Sequence, residues 1–334
     1  MTRIFLTHTP EMFELYYGPR ALAALAALGE VRRNETGRVL DDPAVLADAV
    51  GGAQIVVADR QTPAPAAFLD RAENLIAFCR VAVDISTIDV AAASRQGILV
   101  TRATPGFVPA VCELALGFMI DLARGITRAA LLYRAGTPPP MRLGRQLAGA
   151  TLGIIGYGAI GRRLADLTVA LGMQVLVADP HATVTDARLR QTDLPALLEA
   201  ADFVVCLAVA TAETEKLMDA GAFACMRRGA YFINLSRGDL VDETALAHAL
   251  DSGRIAGAAL DVGRAADQKP SPALAGRADV LATPHIGGLT VEAAEHQAFD
   301  TVRQVSDLLA GRLPTGAANA AFAHRLARLG IACS

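Results

Sequence analysis

The chain has 334 residues, more than one hydrophobic core usually serves, so two domains are expected. Apolar residues make up 53% and charged residues 19% of it, the balance of a compact protein with a large core. The 31 Lys and Arg against 34 Asp and Glu leave a net charge of −3. With no basic excess to follow a phosphate backbone, nucleic acid is excluded as a partner.

The first residues, Met1 to Tyr17, break a short apolar run with Thr7, His8, Thr9 and Pro10, unlike a secretory signal. Further on, Val111 to Ala123 is apolar but carries Glu113 and Asp121, and is too short for a bilayer. No membrane partner is expected. The five cysteines, Cys79, Cys112, Cys206, Cys225 and Cys333, are scattered without ligand spacing. Neither a disulfide framework nor a metal site is expected, and reduced thiols fit a cytoplasmic protein.

In chain order, β-branched runs alternate with alanine-rich segments of helical period. Strands are expected at Ile4–Thr7, Gln54–Ala58, Leu75–Cys79, Thr151–Ile155, Gln174–Ala178, Phe203–Ala208, Ala230–Leu235, Ala256–Leu260 and Val280–Ala282. Helices are expected at Pro19–Leu28, Pro43–Ala49, Ile160–Leu171, Leu194–Ala201 and Glu243–Ser252. This rhythm predicts an α/β protein with parallel sheets covered by helices on both faces. Two long helices interrupt it, Val108 to about Tyr133 and Val291 to Leu309. They divide the chain into one block of residues 1–102 plus 290–334 and a second of 103–289.

Gly156-Tyr157-Gly158-Ala159-Ile160-Gly161 is a GxGxxG string between the strand Thr151–Ile155 and a helical segment. The next strand ends at Asp179, eighteen residues beyond Gly161. Strand, turn, helix, strand and acid in this order define a dinucleotide-binding unit. Gly156 permits the tight turn, Gly158 the approach of the pyrophosphate, and Gly161 the close packing of helix on strand. Asp179 suits the ribose hydroxyls and repels a 2′-phosphate, so the expected cofactor is NAD.

Beyond this unit, Leu147-Ala148-Gly149-Ala150-Thr151-Leu152-Gly153 and Ile233-Asn234-Leu235-Ser236-Arg237-Gly238 follow in order. They are joined by Val241-Asp242-Glu243, Gly253 through Val262, and Thr283-Pro284-His285-Ile286-Gly287-Gly288. With these segments the chain resembles the D-2-hydroxyacid dehydrogenases, a family that includes phosphoglycerate, glycerate and formate dehydrogenases. The likeness runs from about Leu75 to Ala294.

That resemblance implies two doubly wound parallel-sheet domains, with a central Rossmann NAD domain inserted in a flavodoxin-like substrate domain. It implies an active site in the cleft between them and a homodimer formed largely through the NAD domains. Arg237, just past a strand end, would bind the substrate carboxylate and polarise the keto oxygen. His285 would be the general acid/base, a role that suits an imidazole because its unperturbed pKa lies near neutrality. Leu235 and Ser236 would pass the nicotinamide ribose, and Gly287 and Gly288 would admit the cofactor. Asp261 would lie near the nicotinamide carboxamide, or else serve as a cap or turn acid. His181, His248, His296 and His324 carry no such motif; nor does His8, although it ends the first strand and could line the cleft.

Two departures from the family stand out. Its Gly-Val-Gly substrate loop aligns with Ala82-Val83-Asp84. Asp84 would turn away, select a polar or cationic group, or cap the next turn, and Arg80 and Arg102 could offset its charge. The position of the family's catalytic glutamate is Ala266, leaving Asp267 as the nearest carboxylate for His285 and Gln268 as the alternative. The expected activity is NAD-dependent reduction of a small 2-keto acid, or oxidation of the 2-hydroxy acid. A formate-oxidising enzyme and an NAD-sensing corepressor-like protein are the alternatives.

Overall fold

The computed structural model describes residues 1–331, with the exception of the Asp267 side chain. Contacts divide it into two compact units, Met1–Phe107 joined by the chain from Leu289 onward, and Val108–Gly288. Each carries one parallel sheet.

In the first unit β1 (Arg3–Leu6), β2 (Glu30–Arg33), β3 (Ile55–Ala58), β4 (Ala77–Arg80) and β5 (Leu99–Arg102) lie in the order β2-β1-β3-β4-β5. That is the flavodoxin-like doubly wound order. Alternate residues of each strand serve opposite faces. Ile4, Leu6, Ile55 and Val57 pack with Leu25, Val305 and Leu308 from the helices Gly18–Ala26 and Val291–Leu309. Phe5, Val56, Ala58 and Phe78 instead meet Leu46, Phe68 and Ala92 on the other face.

The second unit holds β6 (Thr151–Ile155), β7 (Gln174–Ala178), β8 (Leu189–Gln191), β9 (Phe203–Cys206), β10 (Ala230–Asn234), β11 (Ile255–Leu260) and β12 (Val280–Ala282). Their order is β8-β7-β6-β9-β10-β11-β12, so the chain winds outward from β6 in both directions. This is a Rossmann sheet extended by one strand, and its switch point lies between β6 and β9. One face buries Leu197, Phe223, Leu246 and Leu250. On the other, the helix Val108–Arg124 packs against β10, β11 and the helix Ala159–Ala170.

The long helix expected to reach Tyr133 is broken into Val108–Arg124 and Ile126–Arg134. Gly125 takes a left-handed φ of +66°, and the Asp121 carboxylate caps the new start by accepting the Thr127 amide at 2.9 Å and its hydroxyl. Three strands, β2, β5 and β8, were not anticipated. Among the described residues no helix is long and apolar enough to cross a membrane.

Candidate active site

The glycine turn follows β6 directly. Gly156 has φ +97°, and a Cβ there would stand 2.7 Å from the Leu207–Ala208 backbone. A Cβ on Gly161 would come within 2.3 Å of the Gly156 carbonyl oxygen, so the helix can approach the strand only without one. Gly158 faces open space and is the N-cap of the helix Ala159–Ala170, with no side chain capping the first amides. Unpaired N–H groups and the helix dipole at such an end suit a diphosphate. The Asp179 carboxylate, at the end of β7, reaches back to accept the Tyr157 amide at 2.7 Å and the His181 amide at 2.8 Å. Burial alone would raise its pKa, but these amides outweigh it and hold the carboxyl below the usual range. The cradle therefore fits an NAD diphosphate and ribose.

Arg237 emerges from the turn after β10. Asn234, the last residue of that strand and almost fully buried, fixes the turn from inside. Its side-chain amide donates to the Arg237 carbonyl at 2.9 Å and accepts the Ser236 amide at 3.1 Å. Ser236 also donates its hydroxyl to the Ala208 carbonyl, tying the turn to the segment after β9. Leu235 is buried, while Arg237 is half-exposed and its guanidinium donates to the Ser236 carbonyl at 2.8 Å.

His285 follows β12 in a left-handed conformation, φ +60°, that non-glycine residues adopt only when neighbours enforce it. Asp261 supplies the enforcement from the end of β11. Its backbone carbonyl accepts the His285 amide at 2.9 Å. Its carboxylate accepts the Thr283 hydroxyl at 2.6 Å and the Ile286 and Gly287 amides at 2.8 Å each. Three charge-assisted bonds on one buried carboxylate make a strong local frame. Gly287 is thus held by Asp261, and Gly288 ends the unit.

After Val262 the loop 263–270 folds on itself. Gly263 donates to Gln268 O at 2.9 Å and Ala265 to Lys269 O at 3.0 Å, around a 3-10 turn at Ala266–Gln268. Gln268 has φ +56° and is exposed. The Asp267 side chain, expected to partner His285, lies outside the described residues.

Arg237, Asp261 and His285 are thus brought to the carboxyl ends of the neighbouring strands β10, β11 and β12, where open α/β sheets bind ligands. Ala82, Val83 and Asp84 belong to the other unit, just past β4. Ala82 and Val83 are half-exposed, and Asp84 is exposed and accepts the Ser86 amide at 2.8 Å, a turn-capping bond. Arg80 turns inward instead, donating to the carbonyls of Asp59 and Thr62 and to the Thr87 hydroxyl. Burial lowers its pKa to about 10 despite the opposing pull of Asp59 and Asp84. The sequence reading placed Asn234 and Thr283 within motifs but gave neither a role. Asn234 had a signal, since a polar residue closing a buried strand just before a glycine-bearing turn needs a partner there.

Residues 116–287 match the model of the D-isomer specific 2-hydroxyacid dehydrogenase NAD binding domain. The hydroxypyruvate reductase of Thermotoga maritima is 32% identical over 256 residues, 75% of this chain and 83% of that protein. The (S)-sulfolactate dehydrogenase of Chromohalobacter salexigens is 35% identical over 279 residues, 82% and 90% of the two chains. In fold, the chain is similar to solved D-2-hydroxyisocaproate dehydrogenase, with TM-score 0.85 and 20% identity over 96% of this chain and 100% of the other. Fold and glycine cradle define an NAD-dependent oxidoreductase. The chain belongs to the D-isomer-specific 2-hydroxyacid dehydrogenase family.

Proposed function

We propose that the protein reduces a small 2-keto acid to the D-2-hydroxy acid, with Arg237 holding the carboxylate and His285 acting as acid. The observation that carries this reading is the pair itself. A cation and an imidazole stand at the carboxyl ends of strands in one sheet, and the imidazole backbone is locked left-handed by Asp261. Bound NADH supplies a hydride for the substrate's C2. The Arg237 guanidinium pairs with the carboxylate and draws charge onto the keto oxygen. His285 gives that oxygen its proton and takes it back in the oxidative direction. Leu235, Ser236, Asp261, Gly287 and Gly288 border the nicotinamide half in this reading, and Ala82, Val83 and Asp84 are read as substrate contacts. Asp267, with Gln268 as alternative, is read as the partner of His285.

The test is NADH oxidation with a panel of 2-keto acids, run on wild type and Arg237→Ala. We expect turnover in wild type and a fall of at least about a hundredfold in kcat/KM in the variant, with NADH affinity kept. Near-normal activity of Arg237→Ala would remove that residue from the mechanism. Absence of turnover with every acid would favour an NAD-binding regulator.

We also infer a homodimer through the NAD-binding unit. The helix Ile126–Arg134 has no buried residue, and Ile126, Leu131, Tyr133, Met141 and Leu143 are exposed on or just after it. Large apolar side chains left exposed on and after one helix call for a cover. Leu131→Glu with Tyr133→Glu is expected to give a monomer in light scattering; an unchanged mass would reject this face.

A further inference from the structure

Arg264 has no place in the mechanism above, yet its side chain ties the loop after β11 to the segments after β9 and β10. Its backbone amide donates to the Glu243 carboxylate at 3.1 Å. Its guanidinium donates to Glu215 Oε1 at 2.6 Å, to the Asp239 carbonyl at 2.9 Å and to the Val241 carbonyl at 3.4 Å. The hydrogen bond to Glu215 raises its pKa further above the ordinary arginine value, so the charge is permanent. Glu215 belongs to the segment after β9, Asp239 and Val241 to the turn after Arg237, and Arg264 to the loop after β11. These are three successive carboxyl-end segments of the sheet.

A surface ion pair alone contributes little. Here the fork is shared between a carboxylate and two backbone carbonyls, which fixes geometry in a way an ammonium cannot. Two backbones then meet without side chains between them. A Cβ on Gly238, the residue after Arg237, would stand 2.2 Å from the carbonyl carbon of Gly263, the residue before Arg264. Any displacement of the loop 263–270 therefore reaches the Arg237 turn directly. On its far side that turn is held by Asn234.

We propose that Arg264 is a positioning residue that makes the Arg237 turn and the loop 263–270 a single rigid body. This rests on the functional reading above, in which Arg237 binds substrate and the loop supplies the partner of His285. Released from Arg264, the loop loses its register while the glycine cradle after β6 is untouched. The effect falls on the reacting end of the site.

Arg264→Met is expected to lower kcat at least about tenfold with the KM for NADH within about twofold of wild type. It is also expected to move the basic limb of reductive kcat/KM to lower pH, because an imidazole without its partner holds its proton less firmly. A merely structural role would lower Tm without that limb shift. Arg264→Lys keeps the charge but not the fork and is expected to recover only part of kcat. Should Arg264→Met fail to fold, Glu215→Gln weakens the same clamp, and a fall of about threefold in kcat with the same limb shift is expected. Unchanged kcat and an unchanged limb in the folded variant overturn the proposal. If wild type reduces no 2-keto acid, the functional reading fails by itself. Amide exchange at Gly263, Ala265 and Lys269 then decides the clamp: faster exchange in Arg264→Met supports it, equal exchange overturns it.

Discussion

Asp179 fixes a turn with one carboxylate and, in the proposed reading, offers the same group to the cofactor. Its two oxygens accept the Tyr157 and His181 amides, and these bonds keep it ionised. In the proposed reading a full negative charge there would accept ribose hydroxyls and repel a 2′-phosphate. Asp179→Ala should raise the KM for NADH about tenfold and narrow the preference over NADPH by a similar factor. The check is the ratio of kcat/KM for the two cofactors, and a wild type indifferent to the phosphate would refute the assignment. The place of this residue at the end of β7 was legible in sequence because it depends on local order: glycine turn, helix, strand, acid. The hydrogen-bond partners of Asp261 were not; the sequence offered it as a nicotinamide neighbour, with a cap or turn acid as the competing reading. Its carboxylate partners, Thr283, Ile286 and Gly287, lie more than twenty positions away and are gathered only when β11 pairs with β12.

At the scale of elements, the interior strands were readable, while of the edge strands β2, β5, β8 and β12 only β12 was. Thr151–Ile155, Gln174–Ala178 and Val280–Ala282 have the expected bounds. Glu30–Arg33 escaped because an edge strand tolerates charge; Arg32 and Arg33 cover it by lying over the rings of Phe5 and Phe13. The helix break at Gly125 escaped because an isolated glycine is tolerated within a helix, and Asp121 closes the new start from across the break. The fold of the loop 263–270 was equally hidden, since Arg264 ties it to the segment after β9 and to the stretch 239–243 after β10. The glycine turn allows a sharper test of an element. Gly161→Ala puts a methyl 2.3 Å from a carbonyl oxygen that cannot swing away. The helix must shift, at a cost of about 1–3 kcal/mol in stability and at least about tenfold in NADH affinity. Gly158→Ala meets no atom within 4 Å, so it should keep Tm and lose NADH affinity alone. Fluorescence titration and thermal melts read both, and equal Tm losses in the two variants would contradict the packing argument.

At the scale of the whole molecule, acid should act first on the unit built around β1–β5, through His8. This residue lies two positions past β1, is fully buried, and both of its ring nitrogens lack a hydrogen-bond partner. Burial lowers its pKa from 6.5 to about 4; Asp59 opposes the shift, while Arg80 and Arg33 add to it. Asp59 cannot easily rescue a protonated ring, because its carboxylate already accepts the Thr7 and Thr62 hydroxyls and the Gln61 and Thr62 amides. The Tyr17 ring, with its centroid 5.1 Å away, offers packing and no charge. The unfolded chain therefore binds a proton between pH 6.5 and 4 that the folded chain refuses, and stability falls as pH drops through that window. At pH 5 the loss relative to pH 7.5 is about 2 kcal/mol from this group, approaching about 3 kcal/mol below pH 4. His8→Leu, which keeps the bulk and cannot titrate, should flatten that part of the profile. The measurement is the urea midpoint at pH 7.5 and pH 5 for both proteins, with amide exchange assigning the weakened region. If the variant loses as much stability as wild type over this interval, another group carries the acid sensitivity. If exchange quickens first in Val108–Gly288, the weak point lies in the NAD-binding unit instead.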